Sequence, residues 1–375
     1  LGIPDSFDGL LEVDRPYRLT HKDVTGILRM GGTILGTINR GDPFVAPVQT
    51  SDGLKDYGER CLEIFNKVDL DAVIGIGGDG TLSLCPRFYR LGMPIVGVPK
   101  TIDNDIVGTV NCFGFDTAVS FASEAIDRLH STAAAHRRIM VVEVMGRYAG
   151  WIALHAGVSG GADIILIPEI PYDIEKVAAA VRRRDQFGAR FTIIVVAEGA
   201  KPIGGERSVM TAAHGGGAYA ERLGGVGHKL ALELEQRTAK EARTAVLGHL
   251  QRGGTPSSYD RVLATRFGAS AVDLVVRGQF GKMVSSQPPE RTLAVAAGWS
   301  KYPAITEGPR TKIRPTRRSP SARASGSRTS TSVIGASAVE GGGVASWVLT
   351  RGTLARSGRG ARPRGSANQT CTPAS

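Results

Sequence analysis

The chain has 375 residues, 42% of them apolar, which is enough for two domains with buried cores. Its formal net charge is +11, but twelve basic side chains and a single acid, Glu340, fall within 310–375, so the first 309 residues carry equal numbers of acids and bases. That location argues against a nucleic-acid-binding body, and no uninterrupted apolar run is long enough to cross a bilayer.

The first residues carry no secretory signal, and Cys61, Cys85, Cys112 and Cys371 show no metal-ligand spacing. This usage fits a reducing cytoplasm. Met30–Gly36 reads as a glycine-rich turn and is followed by Arg40-Gly-Asp-Pro43. Residues 54–68 place Leu54, Tyr57, Cys61, Ile64 and Val68 at helical spacing. Asp71–Ile76 is a short β-branched run, the pattern of a buried parallel strand. It ends in Gly77-Gly-Asp-Gly-Thr81, where the threonine is expected to open a helix over 81–91. Met93–Pro99 is the next strand, and strand, helix and strand in so few residues predict a βαβ unit with a parallel sheet.

Val119, Ala122, Ile126 and Leu129 mark an amphipathic helix. Further strands are predicted over 139–144, 164–167, 191–196 and 245–250, and helices over 151–157, 174–184, 219–235 and 259–277. The alternation predicts two α/β units sharing a cleft. From 291 to 375 the composition turns to Arg, Ser, Ala, Gly and Thr. Such a segment buries too little apolar surface to offset its ordering entropy, so disorder is expected there; a basic arm for RNA or membrane is the alternative.

Three features carry chemistry. In the glycine loop, backbone N–H groups and the start of a helix suit phosphate, and Asp79 beside phosphates makes sense if it serves a divalent cation. Pro99-Lys-Thr-Ile-Asp-Asn-Asp105 stands at a strand end, where open α/β sheets bind ligands. An extended backbone there turns Thr101, Asp103 and Asp105 to one side, an arrangement fitted to proton acceptance and Mg²⁺ binding. Finally, Arg138, Arg147, Arg243, His249 and Arg252 flank strands as cations for phosphate oxygens, with Glu169 at another strand end to accept from sugar hydroxyls.

Gly77-Gly-Asp-Gly-Thr81, Pro99–Asp105, Val141-Val-Glu-Val-Met-Gly-Arg147, Ile167-Pro-Glu169 and Leu247-Gly-His-Leu-Gln-Arg-Gly-Gly254 occur in one order over residues 1–285. Together they resemble the 6-phosphofructokinase family. The resemblance implies two Rossmann-like three-layer domains with mostly parallel sheets and a cleft between them. Residues 1–114 with 251–290 would bind the phosphoryl donor, 115–250 the sugar phosphate, and 291–375 would be a basic tail. The implied reaction transfers a phosphoryl group, with Mg²⁺, to the 1-hydroxyl of fructose 6-phosphate.

By the same resemblance Asp103 is the general base, Thr101 positions the phosphoryl group, and Asp79 and Asp105 serve Mg²⁺. Gly78, Asp79, Gly80, Thr81, Lys100 and Arg40 face the donor. Met145, Gly146, Arg147 and Glu169 contact the sugar, while His249 and Arg252 hold its 6-phosphate. Arg138 and Arg243 reach the substrate across a subunit interface, which implies a homo-oligomer, a dimer or tetramer. Gly80 goes with ATP in this family and Lys100 with pyrophosphate; the pair marks a mixed subgroup in which ATP is the expected donor.

Two departures from the family pattern stand beside this. The family's opening strand and Gly-Gly-x-x-x-Gly-x-Asn loop have no counterpart after Leu1, and the Arg/Ser/Gly-rich segment stands where the family's C-terminal strands and helix are expected. A truncated, non-catalytic chain that binds sugar phosphate or pairs with full-length subunits is therefore the rival expectation. An NAD or diacylglycerol kinase shares the glycine loop but not the other sets. A dehydrogenase would need an acid where Pro99-Lys100 stands.

Overall fold

The computed structural model describes residues 1–11, 18–37, 44, 48–50, 53–212, 221–287, 291–296 and 345–350. In chain order, β1 (Gly2–Ile3), α1 (His21–Val24), β2 (Val48–Thr50) and β3 (Gly53–Lys55) precede α2 (Tyr57–Lys67). Then come β4 (Leu70–Gly77), α3 (Asp79–Leu91), β5 (Ile95–Thr101), β6 (Phe113–Gly114) and α4 (Phe115–His136). Next are β7 (Ile139–Val144), α5 (Trp151–Ser159), β8 (Ile164–Leu166), α6 (Ile174–Gln186), β9 (Thr192–Ala197), β10 (Val209–Ala212) and β11 (Glu221–Leu223). The series ends with α7 (Val226–Thr238), β12 (Ala242–Val246), α8 (Ser258–Val276), β13 (Lys282–Gln287), β14 (Arg291–Ala296) and β15 (Ala345–Thr350).

Two sheets organise these elements. The first runs β1-β15-β4-β5-β13-β14, with β6 added beside the end of β5. Its centre, β4, β5 and β13, is parallel. One face is covered by α2 and α3 through Cys61, Phe65, Leu82 and Phe88, and Phe7 stacks on Phe88 at 4.5 Å between ring centroids. The other face packs Val96 and Val98 against Leu263 and Phe267 of α8. The second sheet is all parallel in the order β12-β7-β9-β8. It is sandwiched between α4 with α5 and α6 with α7. The fold is thus α/β with mostly parallel sheets. Their strands read as continuous apolar runs because both faces are buried.

The observed elements differ from the expected ones where the backbone turns sharply. Helix α3 starts at Asp79, with Gly78 as its extended N-cap, so Thr81 lies inside the first turn and does not open it. An acid at the first helical position is favoured by the helix dipole. The expected helix over 219–235 is split: β11 pairs with β10, and α7 begins only at Val226. Gly224 and Gly225 stand between, with φ of +141° and +84°, a path that side chains resist. The strand expected over 245–250 is β12, ending at Val246 and followed by a tight 3₁₀ turn over Gly248–Arg252.

Within 291–375, the segment expected to be disordered, the described residues form two strands. Strand β14 forms an antiparallel hairpin with β13, and β15 pairs antiparallel with β4. Ala-Ser-Trp-Val-Leu-Thr is an apolar, β-prone run within a polar segment, and the sheet edge beside β4 offers it backbone partners. The rest of 297–375 lies outside the described residues, as does Arg40. Among the described residues no helix is long and apolar enough to cross a membrane.

Candidate active site

The C-terminal ends of β4 and β5 lie side by side, with Gly77 opposite Pro99 in register. A Cβ on Gly77 would stand 1.9 Å from Thr81 Oγ1, so the turn closes tightly only around a glycine. A Cβ on Gly78 would lie 3.4 Å from Thr101 Cβ and 3.5 Å from the Lys100 carbonyl. The glycine loop therefore lies beside the end of β5, with space between them for about a methyl group. Asp79, Gly80 and Thr81 form the first turn of a thirteen-residue helix, whose leading N–H groups and dipole favour an anion.

Lys100 and Thr101 are buried at the end of β5, paired with Phe113 and Gly114 of β6. Ile102 is fully buried in the core of the second unit. The segment is thereby wedged between the two sheets. Asp103 follows, 8% exposed, and its N–H donates to Thr101 Oγ1 at 3.1 Å. The backbone does not stay extended: Asn104 has φ of +52°, so Thr101, Asp103 and Asp105 do not alternate along a strand as expected. Asn104 holds this turn with both ends of its amide. Its Nδ2 donates to the Val110 carbonyl at 3.0 Å, and its Oδ1 accepts from Cys112 N–H at 2.8 Å. Asx side chains are suited to such local bracing.

In the second sheet, β7 ends in Met145, which is buried, then Gly146 and Arg147 with φ of +130° and +51°. Backbone of this kind on a non-glycine residue stores strain that the surroundings must hold. Here they do so through Glu198, at the end of β9: the Arg147 N–H donates to Glu198 Oε1 at 3.0 Å. Gly199 lets the two loops meet, because a Cβ there would be 1.9 Å from the Arg147 carbonyl. Burial pushes the Glu198 carboxyl up to about 7; the Arg147 N–H opposes this, the Asp103 charge adds to it, and Arg252 and Arg147 pull it back. One carboxylate thus senses the candidate base and two of the candidate arginines, Arg147 and Arg252.

Glu198 was not among the sequence-derived candidates, while Glu169 was. Glu169 is exposed, and its Oε1 accepts from the Gly150 N–H at 2.9 Å, just before α5. Its described contact is with that helix start; Glu198 stands with Asp103, Arg147 and Arg252. Both follow buried strands of one sheet, so strand position alone could not separate them.

His249 and Arg252 lie in the 3₁₀ turn after β12, His249 exposed and Arg252 half-buried. Arg138 and Arg243 occupy the opposite, N-terminal ends of β7 and β12. Both pair with Glu241, Arg138 through Nε and Arg243 through its terminal nitrogen. These ion pairs hold the Glu241 carboxyl below the usual range. The sheet therefore separates these two arginines from the Met145–Arg147 end of their own chain.

Among the described residues no three His, Cys, Asp or Glu side chains cluster as metal ligands. Asp79 heads α3, and Asp105 follows the turn at Asn104. Carboxylates are the donors Mg²⁺ takes, one or two at a time, with water and substrate phosphate completing its shell.

A family model described as Phosphofructokinase matches residues 1–275. An ATP-dependent 6-phosphofructokinase of Chloroflexus aurantiacus is 54% identical over 287 residues, covering 76% of this chain and 78% of the relative. A pyrophosphate–fructose 6-phosphate 1-phosphotransferase of Amycolatopsis mediterranei is 50% identical over 287 residues, covering 76% of this chain and 80% of the relative. Among solved structures, phosphofructokinase from Saccharomyces cerevisiae superposes with a TM-score of 0.65 at 27% identity, over 78% of this chain and 40% of that one. The Pichia pastoris enzyme in the T-state gives 0.66 at 28% identity, over 78% of this chain and 31% of that one. On these matches the chain belongs to the phosphofructokinase family.

Proposed function

We propose that the chain transfers the terminal phosphoryl group of ATP to the 1-hydroxyl of fructose 6-phosphate, giving fructose 1,6-bisphosphate and ADP. The observation that carries this reading is a run of neighbouring groups. The glycine loop lies beside Thr101, Thr101 Oγ1 accepts from the Asp103 N–H, and the Asp103 carboxylate shares a field with Glu198, Arg147 and Arg252. Donor phosphates on the start of α3 and a sugar phosphate on the second sheet then meet at Asp103.

In the reaction the C1 oxygen attacks the γ-phosphorus, the bond from that phosphorus to the β,γ-bridging oxygen breaks, and Asp103 accepts the hydroxyl proton. General base catalysis of this type contributes about 10²–10⁴-fold. Thr101 holds the transferring group in line, and Arg147 balances its developing charge. Met145, Gly146 and Glu198 orient the sugar, and His249 and Arg252 take the 6-phosphate. Asp79 and Asp105 would hold Mg²⁺, which would neutralise donor phosphate charge. Residues 1–114 with 251–290 act as the donor unit and 115–250 as the sugar unit.

Arg138 and Arg243, at the far end of the second sheet, act on the site of a neighbouring copy, so the active form is a homo-oligomer. Gly80, in the first turn of α3, supports ATP as the donor. The buried Lys100 and the similarity to a pyrophosphate-named relative support pyrophosphate as the second reading.

Steady-state kinetics of Asp103→Ala and Arg252→Ala test the roles. Asp103→Ala lowers kcat by about 10²–10⁴ with little change in KM; Arg252→Ala chiefly raises the KM for fructose 6-phosphate. Full activity in Asp103→Ala would refute the assignment.

A further inference from the structure

The chain crosses between the two sheets at Phe113–Thr117 and again between Leu247 and Asp260. These crossings are locked by four side chains that the reaction does not use. Asp260 is 1% exposed, and its Oδ2 accepts from Thr117 N–H at 2.8 Å and from Thr117 Oγ1 at 2.5 Å. Thr117 Oγ1 in turn accepts from the Ser257 N–H at 3.0 Å. The Ser257 hydroxyl donates to Asp116 Oδ2 at 2.5 Å and accepts from the Asp260 N–H at 3.2 Å. Burial raises the Asp260 carboxyl, and the Thr117 hydroxyl and N–H oppose that rise. The ring thus joins the first turns of α4 and α8 through directed bonds, with Thr117 and Asp260 buried and Asp116 and Ser257 half-buried.

Its position gives it leverage. Helix α4 runs from the ring into the second core through Ala118, Ala122 and Ile126. Helix α8 runs from it into the first through Leu263, Ala264 and Phe267. Three residues before Thr117, Gly114 is paired in register with Thr101. Five residues before Ser257 stands Arg252. One short path therefore leads from the ring to the strand end bearing Asp103, and another to the turn bearing His249 and Arg252.

Resting on the function proposed above, we infer that the Asp116–Thr117–Ser257–Asp260 ring is a positioning device that sets the distance between the base Asp103 and the 6-phosphate grip. The donor site, built on the ends of β4 and β5 and the start of α3 within one unit, does not depend on that distance. The sugar phosphate, which spans it, does. Loosening the ring raises the KM for fructose 6-phosphate and leaves the donor KM in place.

The test compares Thr117→Val, which removes the hydroxyl at nearly constant shape, with Thr117→Ser, which keeps it. Both donor and acceptor saturation curves are measured on the full chain. In Thr117→Val the KM for fructose 6-phosphate rises roughly tenfold or more while the donor KM stays within about twofold; Thr117→Ser restores the wild-type value. A purely structural ring would lower the folded fraction, reducing apparent kcat with both KM values unchanged. That outcome, or an equal rise in both, overturns the inference. Should Thr117→Val not fold, Ser257→Ala loosens the same ring and is read by the same split. A wild-type chain inactive toward fructose 6-phosphate overturns both this inference and the reading beneath it, whereas an active wild type with unsplit variants overturns the ring alone.

Discussion

Replacing Glu198 with glutamine should make the protein more stable and less active, with a pH dependence that identifies the cause. The carboxyl rises from an ordinary 4.5 to about 7, chiefly because it is buried. At about 1.4 kcal/mol for each tenfold change in proton affinity, keeping it charged in the folded state costs about 3 kcal/mol. The sign follows from the raised folded value: stability from this group is fully present below pH 4.5 and is lost as pH rises through about 7. Glutamine keeps an oxygen to accept the Arg147 N–H and has no charge to desolvate. Urea unfolding of wild type and Glu198→Gln between pH 5 and pH 8 therefore separates the two curves by up to about 3 kcal/mol at pH 8, converging toward pH 5. Activity moves the other way: a lost charged acceptor costs about 1.5–3 kcal/mol in kcat/KM for fructose 6-phosphate. A stability difference that is flat across this pH range would refute the reasoning.

Two further substitutions probe the backbone. Asn104→Ala removes both amide bonds and leaves an unsuited residue at φ of +52°. Asn104→Gly removes the bonds but accepts the conformation, so kcat falls in the order wild type, Gly, Ala, by as much as about 10² for Ala. Gly77→Ala forces a Cβ to within 1.9 Å of Thr81 Oγ1 and displaces the first turn of α3. Calorimetry is expected to show about 1–3 kcal/mol of overpacking, and kinetics a raised donor KM.

The parts of the fold that were legible in the sequence are those with both faces buried. Asp71–Ile76, Ile139–Val144 and Phe191–Val196 read as strands because parallel sheets between helices need contiguous β-branched residues. Periodicity could not find the break before α7, where apolar spacing runs through Leu223-Gly-Gly-Val226 and only positive φ at the glycines separates strand from helix. Likewise the expectation for Thr101, Asp103 and Asp105 assumed an extended chain, and one left-handed residue, Asn104, overrides it.

In the site, the motif-bearing residues were legible as charges at strand ends. Glu198 was not, because a single glutamate after a buried run looks the same as Glu169. Convergence is a property of neighbouring strands, and β9 lies next to β7 while β8 stands at the sheet edge. The usable signal was the Ala197-Glu-Gly199 sequence: a glycine after the acid permits the close approach to Arg147 that aims the carboxylate.

The most direct test of the account is ³¹P NMR of the full chain with fructose 6-phosphate and Mg²⁺, supplied separately with ATP and with pyrophosphate. The account predicts that ATP is converted to ADP with a new phosphomonoester on C1 of the sugar. A folded chain that produces no new sugar phosphate with either donor, or that phosphorylates another hydroxyl, would contradict it.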